Sequence, residues 1–313
     1  MRGSARCAGV VLVTVTASAI CSAAVTVRRT KTTVRVEVDG ELFTEYHYDA
    51  ADRPFFYPVI CPTGVNITRN WPMKNGKDEQ TDHKHHRGLW YTHGAMNGHD
   101  FWTEGKGARI VQKSVRDIAS GRQTASFTTR SEWVAKSGKV VCTDTRKHTF
   151  HVLENHRFVD FEITIHASHG PLVMGDTKEG SMAIRVAPTL RLEGKVAKGS
   201  IVNSEGVKGK KAWGKRAKWC DYYGPLNGQT VGVAIFDHPT NPHHPTWWMA
   251  RHYGLFTANG HGVHYFEKKP KGTGDLEIAA GKSVTYKYRF YFHKGDCKAA
   301  RVSAFYDEYA KPQ

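Results

Sequence analysis

Apolar residues recur at every second position over much of this chain. That period sends one face of a strand into a core and leaves the other in water. Residues 25–38 set the pattern, with Val34, Val36 and Val38 on one parity and charged residues between them. They read as a half-buried strand. Asp39-Gly40 then supplies hairpin turn residues leading into residues 42–48. Residues 55–60 form a short apolar strand, ended by Pro62-Thr63-Gly64. Alternating runs follow at 127–134, 139–152 and 158–165, the last two joined by a tight turn at Glu154-Asn155-His156. Residues 182–190 are strand-like, 231–236 are apolar throughout, and 285–292 alternate aromatic side chains. Long alternating strands with short turns build an antiparallel sheet. Only residues 298–310 carry a helical period, through Ala299, Val302, Phe305, Tyr306 and Tyr309. The expected fold is all-β and mainly antiparallel, a large β-sandwich with a short C-terminal helix. No repeat or low-complexity linker divides residues 25–313, which read as one domain.

The N-terminus departs from this pattern. Arg2 and Arg6 precede an apolar run over residues 8–20, and the small residues Cys21-Ser22-Ala23-Ala24 follow. This is the layout of a secretory signal peptide, residues 1–24, cleaved near Ala24. The run is too short for a convincing membrane span. With a mean hydropathy of −0.51, nothing points to a polytopic membrane protein. The expectation is a secreted or periplasmic protein that leaves the membrane once the signal is cleaved.

Charge adds a second constraint. The formal net charge is +16, which favours acidic partners. The basic residues are spread out, with a single cluster at Lys208, Lys210, Lys211, Lys215 and Arg216. No nucleic-acid-binding module accompanies them, so nucleic acid is not an expected partner. Beyond the signal, Cys61, Cys142, Cys220 and Cys297 remain. Four cysteines allow three pairings, and the spacing selects none. Oligomeric state is not legible.

Four polar clusters interrupt the strands: 82–87, 176–179, 219–222 and 237–247. The first, Asp82-His83-Lys84-His85-His86-Arg87, packs imidazoles, a carboxylate and a guanidinium into six residues. In a strand, His83 and His85 share a face with Arg87, while His86 takes the other. Only a loop or strand end can aim most of them into one cleft. Histidine changes charge near neutral pH and also binds metals. The prolines of 237–247 make that segment a rigid loop after a strand. Loops gather at the ends of a sandwich, so convergence of the four clusters is expected. Paired with a carboxylate, a histidine performs acid–base chemistry. His85 or His86 is the expected proton donor or acceptor, with Glu179 as the complementary carboxylate. His83, Arg87, Trp90, Asp176, Lys178, Trp219, Asp221, Tyr222, His238, Asn241, Trp247 and Tyr253 are the expected substrate-binding residues. Aromatic faces beside charged hydrogen-bonding groups suit sugar rings. This chemistry requires no cofactor. The alternative is a divalent metal held by His83, His85 and His238. There is no G-x-S-x-G elbow, P-loop or dinucleotide fingerprint.

Several motifs together resemble a known family. They are RNWPM (69–73), DHKHHRGLWYTHG (82–94), NGHDFW (97–102), GDTKEG (175–180), KGKKAWGKRAKWCDYYG (208–224), DHPTNPHHPTWW (237–248) and YRFYFHKGD (288–296). The family is DUF6807, also labelled "methane oxygenase PmoA"-like, and the resemblance covers nearly all of the mature chain. It implies a secreted bacterial protein without an agreed activity. A methane monooxygenase subunit sharing that label is an integral membrane protein, whereas this chain has one short apolar run. At the level of fold, the pattern is similar to the galactose mutarotase-like supersandwich proteins. The chain departs from the family at Met249, at His252 and at Asn259-Gly260-His261-Gly262. The expected function is an exported carbohydrate-active enzyme doing His/carboxylate chemistry (hydrolysis, elimination or epimerisation) on a sugar or glycoside, with an anionic one suited to the charge. The alternatives are a metal-dependent enzyme and a non-catalytic glycan-binding module.

Overall fold

The computed structural model describes residues 23–154 and 156–312. Most of the expected signal segment, and Asn155 of the expected turn, lie outside the described residues. Among the described residues, two large antiparallel sheets face each other. The first has nine strands in the order Trp247–Trp248, Leu255–Asn259, Gly180–Arg185, Leu89–His93, Phe55–Val59, Glu41–His47, Thr33–Val38, Ala24–Arg29 and Gly121–Arg122. The second has eight: Ser200–Asn203, Trp219–Leu226, Gln229–Asp237, Ser283–Lys294, His156–His166, Val140–Leu153, Thr124–Val134 and Arg109–Ala119. A small ribbon pairs Leu172–Met174 with Leu276–Ile278. The architecture is the expected all-β sandwich.

Alternation decides which side chains meet between the sheets. Along Val140–Leu153, Asp144, Arg146, His148, Phe150 and Val152 point inward and are buried, while Lys147 and Leu153 are exposed. Phe43 of the first sheet meets the rings of Phe150 and Phe292 of the second edge-on, at 5.9 and 6.1 Å. Burying one such ring contributes about 2–3 kcal/mol relative to leaving it in water. The core also takes a charged pair, Arg146 and Asp144, at 2.7 Å.

Three features differ from the pattern read along the chain. Residues 25–38 form two strands, because the Thr30 hydroxyl accepts from the backbone of Thr32 and Thr33 and turns the chain there. Leu89–His93 and Leu255–Asn259 are strands with every residue buried. They show no alternation because both of their faces are covered. The C-terminal helix is shorter than its sequence period, spanning Val302–Tyr309, since Arg301 sits in the left-handed region at φ 52°. Its buried residues, Val302, Tyr306 and Tyr309, pack with Phe236 and Tyr291 on the outside of the second sheet. Among the described residues, Cys61, Cys142, Cys220 and Cys297 are free thiols.

The double covering of Leu89–His93 places the site. Leu89 and Tyr91 face the inter-sheet core, as do Met182, Ile184 and Phe256 on neighbouring strands. The opposite parity, Trp90, Ala183 and Leu255, joins Phe55, Trp102 and Met249 in a second apolar cluster on the outer face of the first sheet. Loops fold over that cluster.

Candidate functional site

The histidine stretch is one of those loops. It makes a tight turn, with the His86 amide donating to the His83 carbonyl at 2.9 Å. It leaves through Gly88 at φ +50°, where a Cβ would fall 1.9 Å from the Phe56 carbonyl oxygen. Only glycine allows that exit into Leu89–His93. Three arginines from elsewhere hold the loop. Arg69 donates to the carbonyls of His83 (2.9 Å) and His86 (3.2 Å) and to the Asp82 carboxylate (2.8 Å). Arg53 donates to the carbonyl of His85 and, at 2.9 Å, to that of Trp102. Arg185 donates to His86 Nδ1 at 3.0 Å and to Asp82 Oδ1 at 3.1 Å. Burial pushes Arg53 and Arg69 each down to about 10, which leaves both cationic at neutral pH. A fourth tie is the two-point pair of Arg87 with Glu104, at 2.9–3.1 Å.

Held this way, the loop stacks its rings. Trp90, His86, His83 and Tyr253 form a column with successive centroid spacings of 5.5, 4.8 and 5.5 Å and interplanar angles of 18°, 7° and 4°. His85 meets His83 and His86 edge-on, at 5.7 and 4.5 Å. Inside the column, His83 and His86 have neighbours on both faces and offer a ligand their edges.

The nitrogen roles follow from the partners. Arg185 can only donate, so His86 Nδ1 accepts and its proton sits on Nε2. Burial, then Arg185 and the neighbouring histidines, hold His86 well below its ordinary range, so it is neutral. Burial, then Arg53, lowers His85 to about 4. His83 is different: its Nδ1 donates to Asp82 Oδ2 at 2.7 Å, so its free ring nitrogen is Nε2. Burial raises the Asp82 carboxyl, but Arg185, His83 and Arg69 outweigh it and bring it below the usual carboxylate range.

The facing wall comes from the segment entering Gly180–Arg185. Glu179 lines the cleft and pairs with Lys178, each about one-third exposed. The Glu179 carbonyl accepts from the amide of Gly94 at 2.7 Å, fixing that segment to the end of Leu89–His93. The cleft between these walls has a volume of about 400 Å³. It brings a carboxylate-held imidazole, two neutral imidazoles and a second carboxylate to one place. That set can take up a proton, deliver one, and donate hydrogen bonds to a developing oxyanion.

Of the expected site residues, His83, His85, His86, Lys178, Glu179 and Tyr253 line this cleft. Trp90 is its floor, and Arg87 sits behind the loop on Glu104. The others lie elsewhere. Asp176 accepts from the backbone of His264 and Gly274 and staples that segment. Tyr222 donates to the carbonyl of Arg251 at 2.9 Å, from beneath the cleft. Asp221 pairs with His293 at 3.0 Å, both fully buried. Trp219 lines a separate groove of about 510 Å³ beside the C-terminal helix. His238 lines another depression of about 490 Å³, on the second sheet. Asn241 bonds the backbone of Lys287 and the side chain of Asp237. Trp247 donates to Glu267 at 3.0 Å and lies beneath Arg216. The three-histidine metal set is therefore not assembled, because His238 belongs to a different face. Among the described residues, no group of three or more His, Cys, Asp or Glu side chains is arranged to hold a metal ion.

Sequence reasoning missed the arginine cradle. Arg185 gave the clearest signal, as the one charge in the buried run Gly180–Arg185. Asp82 was noted in the motif without a role. Arg251, Asp100 and Lys106 also line the cleft without having been singled out.

No curated protein matches the chain. Among solved structures, a galactose mutarotase related enzyme from Lactobacillus acidophilus aligns over 86% of this chain and 97% of its own, with 11% identity and a TM-score of 0.28. A likeness this loose carries no argument about activity. The sequence comparison is firmer: residues 33–307 match the family described as "Family of unknown function (DUF6807)", and the chain belongs to that family.

Proposed function

We propose that this chain is a carbohydrate-active enzyme, exported by residues 1–24, that performs His/carboxylate proton transfer on a sugar or glycoside. The observation that carries the reading is the shared cleft: His83, held by Asp82, opens into the same space as Glu179. His83 Nε2 is the proton acceptor, and Asp82 fixes its tautomer and stabilises the imidazolium that forms. Glu179, beside Lys178, is the complementary group. His85 and His86 stay neutral and serve as hydrogen-bond donors, His86 through its Nε2–H. This moves proton transfer to His83, from the His85 or His86 suggested by the sequence, since His86 Nδ1 is already occupied by Arg185. The reaction classes compatible with this set are hydrolysis, elimination and epimerisation. The reading uses no oxygenase chemistry.

The test is a screen of wild type and Glu179→Gln against glycosides and polysaccharides, with and without chelator, read by mass spectrometry. Wild type is expected to give a product, and the variant about 100-fold less or lower, the scale of a lost acid–base group. Saturable glycan binding with no product from wild type would instead establish a binding module. Turnover abolished by chelator and restored by a divalent ion would establish a metal enzyme.

A further inference from the structure

Around the cleft, nearly every cation is matched by a carboxylate. Lys178 pairs with Glu179, and Lys106 with Asp100. Arg69 and Arg185 share Asp82, and Arg87 pairs with Glu104, which also lies 3.9 Å from Arg53. Arg251 lines the same cleft and has no carboxylate partner among the described residues. Its guanidinium sits 5.3 Å from the ring centre of Trp213, a contact that holds the plane of the fork. Its Nε–H is buried without an acceptor, and so is the Nε1–H of Trp213. Unanswered buried donors of this kind cost about 1–3 kcal/mol each. On the rim beside that arginine, Lys210 and His252 both lie against the carboxylate of Glu193, so they too are matched. A cation with fixed orientation, beside a second donor and inside the cleft, is a receptor for an anion.

We infer that Arg251 receives an anionic substituent of the substrate, the carboxylate of a uronic acid, on its guanidinium fork. This rests on the reading of the cleft as a sugar site and names the class of sugar. A planar carboxylate matches the two parallel N–H groups of arginine, and such charge-assisted pairs are about twice as strong as neutral hydrogen bonds. Trp213 sets the angle of the fork, and the reacting part of the sugar lies toward His83 and Glu179. Sulfate esters share the charge but not the planar geometry, so they form a separate arm of the test.

The experiment measures calorimetric binding to Glu179→Gln protein, which holds saccharides without turning them over. The probes are oligosaccharides of galacturonic and glucuronic acid, their neutral counterparts, and the neutral counterparts bearing sulfate. The same series is repeated with Arg251→Gln and Arg251→Lys added, after thermal unfolding shows that these variants fold. Uronates are expected to bind at least about 10-fold more tightly than neutral sugars. Arg251→Gln is expected to weaken uronates by about 10- to 100-fold, and by at least about 10-fold more than it weakens neutral sugars. Arg251→Lys recovers part of the loss, since it keeps the charge without the fork. Sulfated sugars binding best, still through Arg251, would keep the anion receptor and overturn the uronate. Neutral sugars binding as tightly as uronates, with no effect of Arg251→Gln, would overturn the inference and leave the sugar site standing. If no saccharide of any kind binds, both fall.

Discussion

Asp82→Asn is the sharpest test of how the site is held. The substitution keeps the shape of the side chain and removes one negative charge. That carboxylate receives Arg69 at 2.8 Å, Arg185 at 3.1 Å and His83 Nδ1 at 2.7 Å. The two guanidiniums are 2% and 1% exposed, and Asp82 is their shared carboxylate. Breaking a fully buried pair from one side costs about 3–5 kcal/mol. Asp82 itself is 36% exposed, so solvent screens part of the effect, and about 2–3 kcal/mol is the reasonable figure here. On a chain of this size that lowers Tm by roughly 3–5 °C. The assay is denaturant unfolding at pH 7, with Glu308→Gln as the control. Glu308 pairs with Lys311, but both side chains are more than 60% exposed, so its loss should cost under about 0.5 kcal/mol. The pH dependence checks the cause. The folded carboxyl of Asp82 lies below its ordinary value, so its contribution is complete above that value and is lost as pH falls through the folded one. The gap between wild type and Asp82→Asn should therefore close in acid. A variant within about 0.5 kcal/mol of wild type at pH 7 would refute the cradle argument, as would a gap that persists unchanged through acid.

Two further outcomes follow from the same framework. Gly88→Ala places a Cβ against the Phe56 carbonyl at a strained φ, so it should cost about 3 kcal/mol or more and reduce soluble yield; normal yield with an unshifted unfolding midpoint would contradict the geometry. Burial lowers His93 from 6.5 to about 4, so the unfolded chain takes up a proton before the native one does. Stability should then fall as pH drops from about 6.5 to 4, by about 3 kcal/mol for His93 alone. His86, His148 and His261 act in the same direction, and urea midpoints that stay level between pH 7 and 4.5 would count against all of them.

The fold was legible wherever one strand face is wet. Val140–Leu153 and Ser283–Lys294 alternate and were read nearly to their ends. Leu89–His93 and Leu255–Asn259 were missed because a strand covered on both faces carries no period-two signal. The site was half legible for a related reason. A loop was expected to gather the histidines, and Glu179 was expected to join them; both share the cleft. The proline-rich segment after Asp237 was correctly read as a loop at a strand end. It follows Gln229–Asp237, which belongs to the other sheet, and sequence alone does not say which sheet a strand joins. Loops are expected to meet at the end of a sandwich, and here they do not. This cleft lies over the outer face of the first sheet, above Trp90 and Ala183.

The arginine cradle explains why three adjacent histidines need not act alike. Imidazoles stacked at 4.8 Å repel one another once both are charged, and a nearby guanidinium adds to that cost. Burial first, and then Arg185 against His86 and Arg53 beside His85, keep these two rings neutral. Positive charge in the site is carried by guanidiniums, which do not move protons near neutral pH. Of the three histidines, only His83 has a carboxylate on its ring nitrogen. In the proposed chemistry His83 is therefore the ring assigned to the proton, on the ground of its hydrogen bond to Asp82. The same arrangement leaves Arg251 as a cation of the cleft with no carboxylate partner among the described residues. Under the proposed reading the roles then separate on physical grounds: a paired histidine for the proton, neutral histidines for hydrogen bonds, and an arginine without a carboxylate partner for the charge on the substrate.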